Sequence, residues 1–418
     1  DLHRVDRRQR QMCIRDRENT SKNISDPSGG ANQSRVRDHN ERLVLSLVRR
    51  HISMPKSEIA RRSGLSSQTV SVIMRALEKD GLLLRGDPQR GKVGQPSIPM
   101  RLDPNGVFSL GLKIGRRSAD LVLVDFLGRE RRTVSRTFPY PLPNELLEFG
   151  KNSIAEFLQD LSPDEQNRIA GVGVSMPFEL WNWAEKTGAP EELLVEWKHF
   201  EFQEKLSEMT KLPTTIQNDA TSACGAELVF GHGKELIDFV YFFIGTFIGG
   251  GVVLDHSVYS GRTGNAGAFG PMPVTGADGK MTTLTDHASI LTLERLLKTD
   301  GINLYHPERE KEEWHSLGHH LDQWIGTTAY HLARAIVASH SIIDFQATII
   351  DGAFPPDIRK RIVEAIKIEI NKLDTRGIGK LVIMEGLVGR GARALGAASL
   401  PLFSRYLLDQ KVLFKGIK

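Results

Sequence analysis

The sequence predicts an α/β protein headed by a small winged helix-turn-helix module. Three observations carry that reading. After residue 100, apolar strand-like runs alternate with helical stretches. Between residues 55 and 81, two short helical segments flank a glycine turn. The charge is also uneven: residues 35–92 hold thirteen Lys/Arg against six Asp/Glu, whereas residues 93–418 sum to −5. That is the layout of a basic part that meets nucleic acid joined to a body that does not.

The bulk numbers set the limits. A chain of 418 residues, 40% hydrophobic and 25% charged, has room for two or three ordinary globular domains. The run FVYFFIGTFIGGGVVL at 239–254 is interrupted by four glycines and flanked by Asp238 and Asp255. It is too short to span a bilayer and reads as buried strands at a turn, so no membrane partner is expected. The arginine-rich start has no secretory apolar core, which points to a cytoplasmic protein. Cys13 and Cys224, the only cysteines, support neither a disulfide framework nor a cysteine zinc site.

Residues 1–34 read as a disordered tail, polar and without periodicity. Their MCIRDR element resembles adapter DNA read as protein, and about the first 17 residues are expected to be an artefact. Residues 35–100 form the expected DNA-binding domain. Leu43, Val44, Leu47 and Val48 recur at helical spacing, Pro55 opens a second helix, and Gly64 turns the chain. Ser66 or Ser67 caps a third helix with Val70, Ile73, Met74 and Leu77 on its inner face. Its outer face carries Ser66, Ser67, Gln68, Thr69, Ser71 and Arg75, short polar and basic groups that can reach base edges. The segment after Gly81 reads as a two-stranded wing with Arg90, Lys92 and Gln95 at its tip, suited to phosphates or a minor groove. The alternative is a helical protein-contact domain with a solvated basic face.

Residues 101–418 form the expected effector domain. SLGLKIG, DLVLVDF, IAGVGVSM, TTIQND, FVYFFIGT and GGGVVLD read as strands, and 145–160, 220–230, 289–298, 311–345 and 356–373 as helices. Several stretches then add up to a resemblance: GVGVSMP at 171–177, IQNDATSACGAE at 216–227, IGTFIGGGVV at 244–253, GRTGNAGAFG at 261–270 and GRGARALGAA at 389–398. Jointly they resemble the ROK family (repressors, open reading frames, kinases) over residues 38–403. The resemblance implies a two-lobed actin/hexokinase-like, ribonuclease H-like body closing on a sugar. It also implies that a chain with this N-terminal module regulates transcription in response to a sugar, as a dimer or tetramer.

The kinase features of that family are damaged. Its first phosphate loop, D-I-G-G-T-K, reads here with Lys113 for the acid, Arg116 for the second glycine, and Arg117 and Ser118 at the last two positions. The second loop reads Thr246, Phe247, Ile248, Gly249, Gly250, Gly251, with a phenylalanine where backbone meets phosphate. The glycine cluster expected at the adenosine is DGAF, 351–354. Ala268 and Pro271 replace the Glu and the zinc-binding His of A-G-E-I-G-H, and the cysteines that would follow are absent. No catalysis, metal or cofactor is therefore expected.

Asn218 and Asp219 match the family's sugar-contacting pair, in which the Asp is the general base; here they are expected to bind only. They also stand where a helix needs its N-cap. Thr246, Gly249 and Gly250 are further candidate ligand contacts, and Asn265, Asp286 and His287 are candidate substitutes for the lost carboxylates, the second of which falls on Thr285 or Asp286. His319 and His320 receive no role. The expected function is a ligand-controlled regulator, a repressor rather than an activator, of carbohydrate-related genes. Its partners are double-stranded operator DNA and a sugar or sugar-derivative effector, and it is a homodimer or homotetramer. The alternatives are an active sugar kinase carrying a DNA-binding domain and a DNA binder that takes no sugar.

Overall fold

The computed structural model describes residues 33–88, 98–184, 189–276, 278–302 and 311–408. The tail at 1–32 and the wing-tip residues Arg90, Lys92 and Gln95 lie outside the described residues. Packing divides the chain into two units: one takes in the residues up to Arg101 together with those from Tyr406 onward, and the other is Leu102–Arg405.

The first unit holds α1 (Gln33–His51), β1 (Met54–Pro55), α2 (Lys56–Ser63), α3 (Ser67–Lys79), β2 (Leu83–Arg85) and β3 (Pro99–Leu102). Gly64 ends α2 at φ 72°, a left-handed conformation that glycine adopts without strain, and its amide bonds the Ala60 carbonyl. Ser66 is the residue that caps α3, its Oγ accepting from the Thr69 amide at 3.1 Å. Val70, Ile73, Met74 and Leu77 are all buried, as are Val44, Val48 and Ile59. The strands pair in the order β1-β3-β2. The Leu408 amide donates to Ser46 Oγ at 2.8 Å, so chain that follows the body returns to α1.

The second unit is built on two five-stranded sheets. The first comes from β4 (Phe108–Ile114), β5 (Ser118–Asp125), β6 (Glu130–Thr137), β7 (Ile169–Met176) and β8 (Thr214–Asn218), with α4 (Pro143–Gln159) and α5 (Phe202–Thr210) between them. α6 (Asp219–Phe230) leads to the second sheet, which comprises β9 (Phe239–Ile244), β10 (Ile248–Leu254), β11 (Ser257–Val258), β14 (Ala347–Gly352) and β15 (Ile383–Glu385). A ribbon of β12 (Pro273–Thr275) and β13 (Met281–Thr283), then α7 (Ile290–Thr299) and α8 (Gly318–Ile342), precede β14. α9 (Pro356–Ile370) joins β14 to β15, and α10 (Ala392–Arg405) closes the unit.

The sheet orders are β6-β5-β4-β7-β8 and β11-β10-β9-β14-β15. In each, the first three strands form an antiparallel meander and the last two add in parallel. The two halves of the body thus repeat one topology, as two related lobes. Each sheet has its own apolar core, one around Leu110, Leu112, Val172 and Phe157, the other around Phe242, Trp324, Ile336 and Ile350.

α10 lies directly on strand backbone. A Cβ on Gly111 or Gly173 would stand 2.2 Å from the Ala394 carbonyl oxygen or 1.8 Å from that of Ala397, so only glycine permits the approach. The six expected strands are all present. The expected helix at 311–345 instead begins as a 3₁₀ stretch, Lys311–Leu317, with α-helix only from Gly318.

Candidate functional site

A cleft of about 1460 Å³ opens at the carboxyl ends of the strands of both sheets. Its walls are the residues following β4, β7, β8, β9 and β14, the edge where open α/β sheets bind ligands. Asn218, Asp219, Thr246, Gly249, Gly250 and Asn265 line it.

The polar end of the cleft is the start of α6. Asn218 caps that helix, its Oδ1 accepting from the amides of Ala220 (3.0 Å) and Thr221 (3.2 Å). Asp219 accepts from the Ala220 amide through Oδ1 and from Arg393 Nη1 through Oδ2 at 3.4 Å. Capping and facing the cleft therefore coexist in one pair. Arg393, on α10, also sits 5.2 Å over the Phe243 ring. Sequence reasoning missed it, because nothing local marks an arginine 174 residues away as the partner of Asp219.

Asp286 and His287 do not line the cleft. The Asp286 carboxylate accepts from the hydroxyls of Thr282 and Thr283 and from the Thr283 amide, closing a capping box. His287 stacks on His331 at 4.0 Å, and burial pushes the His331 imidazole down to about 4. Thr285, between the ribbon and this pair, is the residue that faces the cleft.

In the two turns that correspond to phosphate loops, side chains are engaged by other parts of the chain. Lys113 is buried beneath the β4–β5 turn, donating to the Ser118 carbonyl (3.2 Å), Ser118 Oγ (2.7 Å) and Asp120 (3.0 Å). Burial and the charge of Arg393 push its ammonium down to about 8, against the pull of Asp120. Burial would raise the Asp120 carboxyl, but Lys113, Ser135 and Arg393 hold it below its ordinary value. Arg116 leaves the turn to reach Glu294 on α7 through a two-oxygen contact at 2.7 and 2.8 Å, joining the two lobes.

In the other turn Phe247 stacks on Trp183 at 4.1 Å and 28°, a second bond between lobes. The glycines of β10 serve packing: a Cβ on Gly249 would meet Ala220 at 2.7 Å, and one on Gly251 would meet Cys224 at 2.5 Å. The first turn thus carries cations where the kinase loop has an acid and a glycine, and the second carries a ring. The zinc position does not fit a zinc ion, since Ala268 and Pro271 carry no donor. Among the described residues, Asp300, His319 and His320 group their ligand atoms within 4.8 Å, and none of them lines the cleft.

On α3, Ser66, Ser67, Gln68 and Arg75 are exposed, and Thr69 and Ser71 are half-buried. Ser66 and Thr69 are tied at the cap, while Ser71 and Arg75 each donate back to the carbonyl four residues earlier. Gln68 makes no such bond. Val72, 53% exposed, lies between Gln68 and Arg75 on one helical stripe and was not anticipated. An apolar residue on an otherwise polar outer face is the signal that would have found it.

The sequence model of the ROK family matches residues 109–402. The chain belongs to the ROK family. A winged helix-turn-helix DNA-binding model matches residues 37–83. Among relatives, an uncharacterized Sinorhizobium fredii protein, y4fQ, is 26% identical over 377 residues, covering 88% of this chain and 91% of that one. The xylose repressor of Bacillus subtilis is 22% identical over 244 residues, covering 58% of this chain and 62% of the repressor. Among solved structures, a ROK family transcriptional regulator described as a homologue of the Escherichia coli MLC protein aligns with a TM-score of 0.63 at 18% identity, covering 91% of this chain and all of that one. This chain therefore pairs a ROK body with a DNA-binding module.

Proposed function

We propose that the chain is a sugar-responsive transcriptional repressor whose ROK body binds a sugar or sugar derivative without phosphorylating it. One observation carries this reading: Lys113, Arg116 and Phe247 stand at phosphate-loop positions and are engaged by Ser118 and Asp120, Glu294 and Trp183, while Asn218 and Asp219 still face the cleft. A base with no phosphate delivered in line has nothing to activate, but it can still accept a hydroxyl proton in a hydrogen bond. The DNA-binding module and the relation to the xylose repressor support the regulatory half.

In this reading α3 reads operator DNA, and the protein acts as a homodimer or homotetramer whose recognition helices match two half-sites. An effector that prefers one arrangement of the lobes shifts the population toward it and changes operator affinity by about 5–150-fold. The test measures ADP release with ATP–magnesium over a panel of hexoses, pentoses and amino sugars, and operator binding with the same panel. No turnover, together with a sugar-dependent change in operator affinity, is expected. Sustained ADP release with any of the sugars would make the chain a kinase.

A further inference from the structure

The cleft has a second chemical character that Asn218 and Asp219 do not explain. Besides Phe243 and Trp314, six aromatic residues line it: Phe138, Tyr140, Phe178, Trp181, Trp183 and Phe247. All six are half-buried or exposed, Phe178 at 37%, so each leaves ring surface open rather than closed into a core. They come from three separate segments: the chain after β6, the stretch after β7 and the β9–β10 turn. The stretch after β7 is held in shape, with Trp183 Nε1 donating to the Phe178 carbonyl at 3.1 Å and Glu179 in the left-handed region at φ 55°. A non-glycine residue there stores strain, which clusters at ligand sites.

Polar anchors at the start of α6 and aromatic residues from three segments line the same cleft. The cleft of about 1460 Å³ exceeds the usual ~300–1,000 Å³ of a small-molecule pocket. Phe247 brings one of these rings into the turn where a kinase would hold its second substrate. We propose that the cleft takes one extended glycoside: a hydroxylated ring at Asn218 and Asp219, and a second, flat-faced unit over the wall of Phe178 and Trp181. Two chemistries supply such a face. A pyranose ring presents axial C–H groups to the electron-rich face of an indole, and an aryl aglycone stacks on it directly. This rests on the sugar reading of the cleft and narrows it.

The test uses the full chain and calorimetry. Glucose, xylose and N-acetylglucosamine are each titrated as the methyl β-glycoside, the β-linked disaccharide and the phenyl β-glycoside. For one of the three sugars, an extended ligand is expected to bind about tenfold more tightly than the methyl glycoside, the worth of one good aromatic contact. A gain confined to the disaccharide identifies a second pyranose, and one confined to the phenyl glycoside an aryl group. Trp181→Ala and Phe178→Ala are expected to weaken the extended ligand several-fold more than the methyl glycoside, and Trp181→Tyr to restore part of the difference. Methyl glycosides that bind as tightly as both extended forms overturn the two-part site alone. Variants that weaken all ligands equally do the same. Failure of every sugar to bind removes the sugar reading along with it.

Discussion

Gln68 is the exposed side chain on α3 with two donors and an acceptor to offer, and Val72 and Arg75 continue its stripe toward the helix end. Gln68→Ala is expected to relax preference at one base by about 1–3 kcal/mol, the worth of a bidentate base contact. Val72→Ser should weaken discrimination at a neighbouring thymine, whose methyl group suits an apolar contact. Binding of specific and scrambled duplexes at fixed salt reads both, and unchanged ratios would remove α3 as the reader.

At Lys113 the prediction concerns pH. The folded ammonium titrates near 8 and an unfolded lysine near its ordinary 10.5. Between those values the unfolded chain holds a proton that the folded one has released, so stability rises with pH across the window. Below about 8 both states are protonated and the desolvation penalty is constant. Lys113→Met should lose that rise, seen as parallel urea midpoints at pH 8 and 10 where the parent's differ. The caps Asn218 and Ser66 and the turn at Gly64 were legible because their roles are local. Arg393 and the cleft aromatics were not, since their meaning depends on chain brought together from distant segments.

Among the elements, six strands of the body and amphipathic α3 announced themselves; α5, β14 and β15 are among those that did not, and so are β6 and α10, for which the reason is physical. β6 exposes residues on both faces, as an edge strand can, so its sequence ERRTVSRT has no apolar alternation to read. α10 contains Pro401 and packs through small residues against bare backbone: a Cβ on Gly396 would come within 1.8 Å of the Ser222 carbonyl. A helix that buries itself by close approach has no need of large apolar side chains, and hydrophobic periodicity misses it. The turn between β4 and β5 resembled a phosphate loop by spacing alone; the structure gives it a lobe-to-lobe ion pair instead. Arg116 and Glu294 are 11% and 14% exposed, so removing the acid leaves a largely buried cation short of its strongest partner. Glu294→Gln should lower stability by about 1–3 kcal/mol. Arg116→Met combined with Glu294→Leu should recover most of that loss, because an apolar pair can replace a buried ionic one. Denaturant midpoints of the three proteins decide it, and a double variant no better than Glu294→Gln would argue against the latch.

The whole molecule passes between its two units twice, once at Arg101–Leu102 and once at Arg405–Tyr406. α10 precedes the second crossing and also carries Arg393, the partner of Asp219. One helix therefore lines the cleft at its start and is followed in sequence by the residues grouped with the N-terminal unit. Asp219→Ala is expected to leave operator affinity without effector unchanged and to abolish the effector's influence on it. Ending the chain at Arg405 should uncouple the two in the same way while leaving effector affinity within about twofold, and linkage demands that operator then cease to alter that affinity. Calorimetric titration of effector with and without operator checks both; coupling that survives the truncation would place the route through the first crossing.

The return of residues 406–408 to α1 has a consequence for biosynthesis. α1, α2 and α3 leave the ribosome first, yet the amide that bonds Ser46 belongs to Leu408, made after the entire body. Leu407, 2% exposed, is supplied equally late. The N-terminal unit therefore completes its packing only with residues made after the whole body, and a chain ended before them lacks that contact on α1.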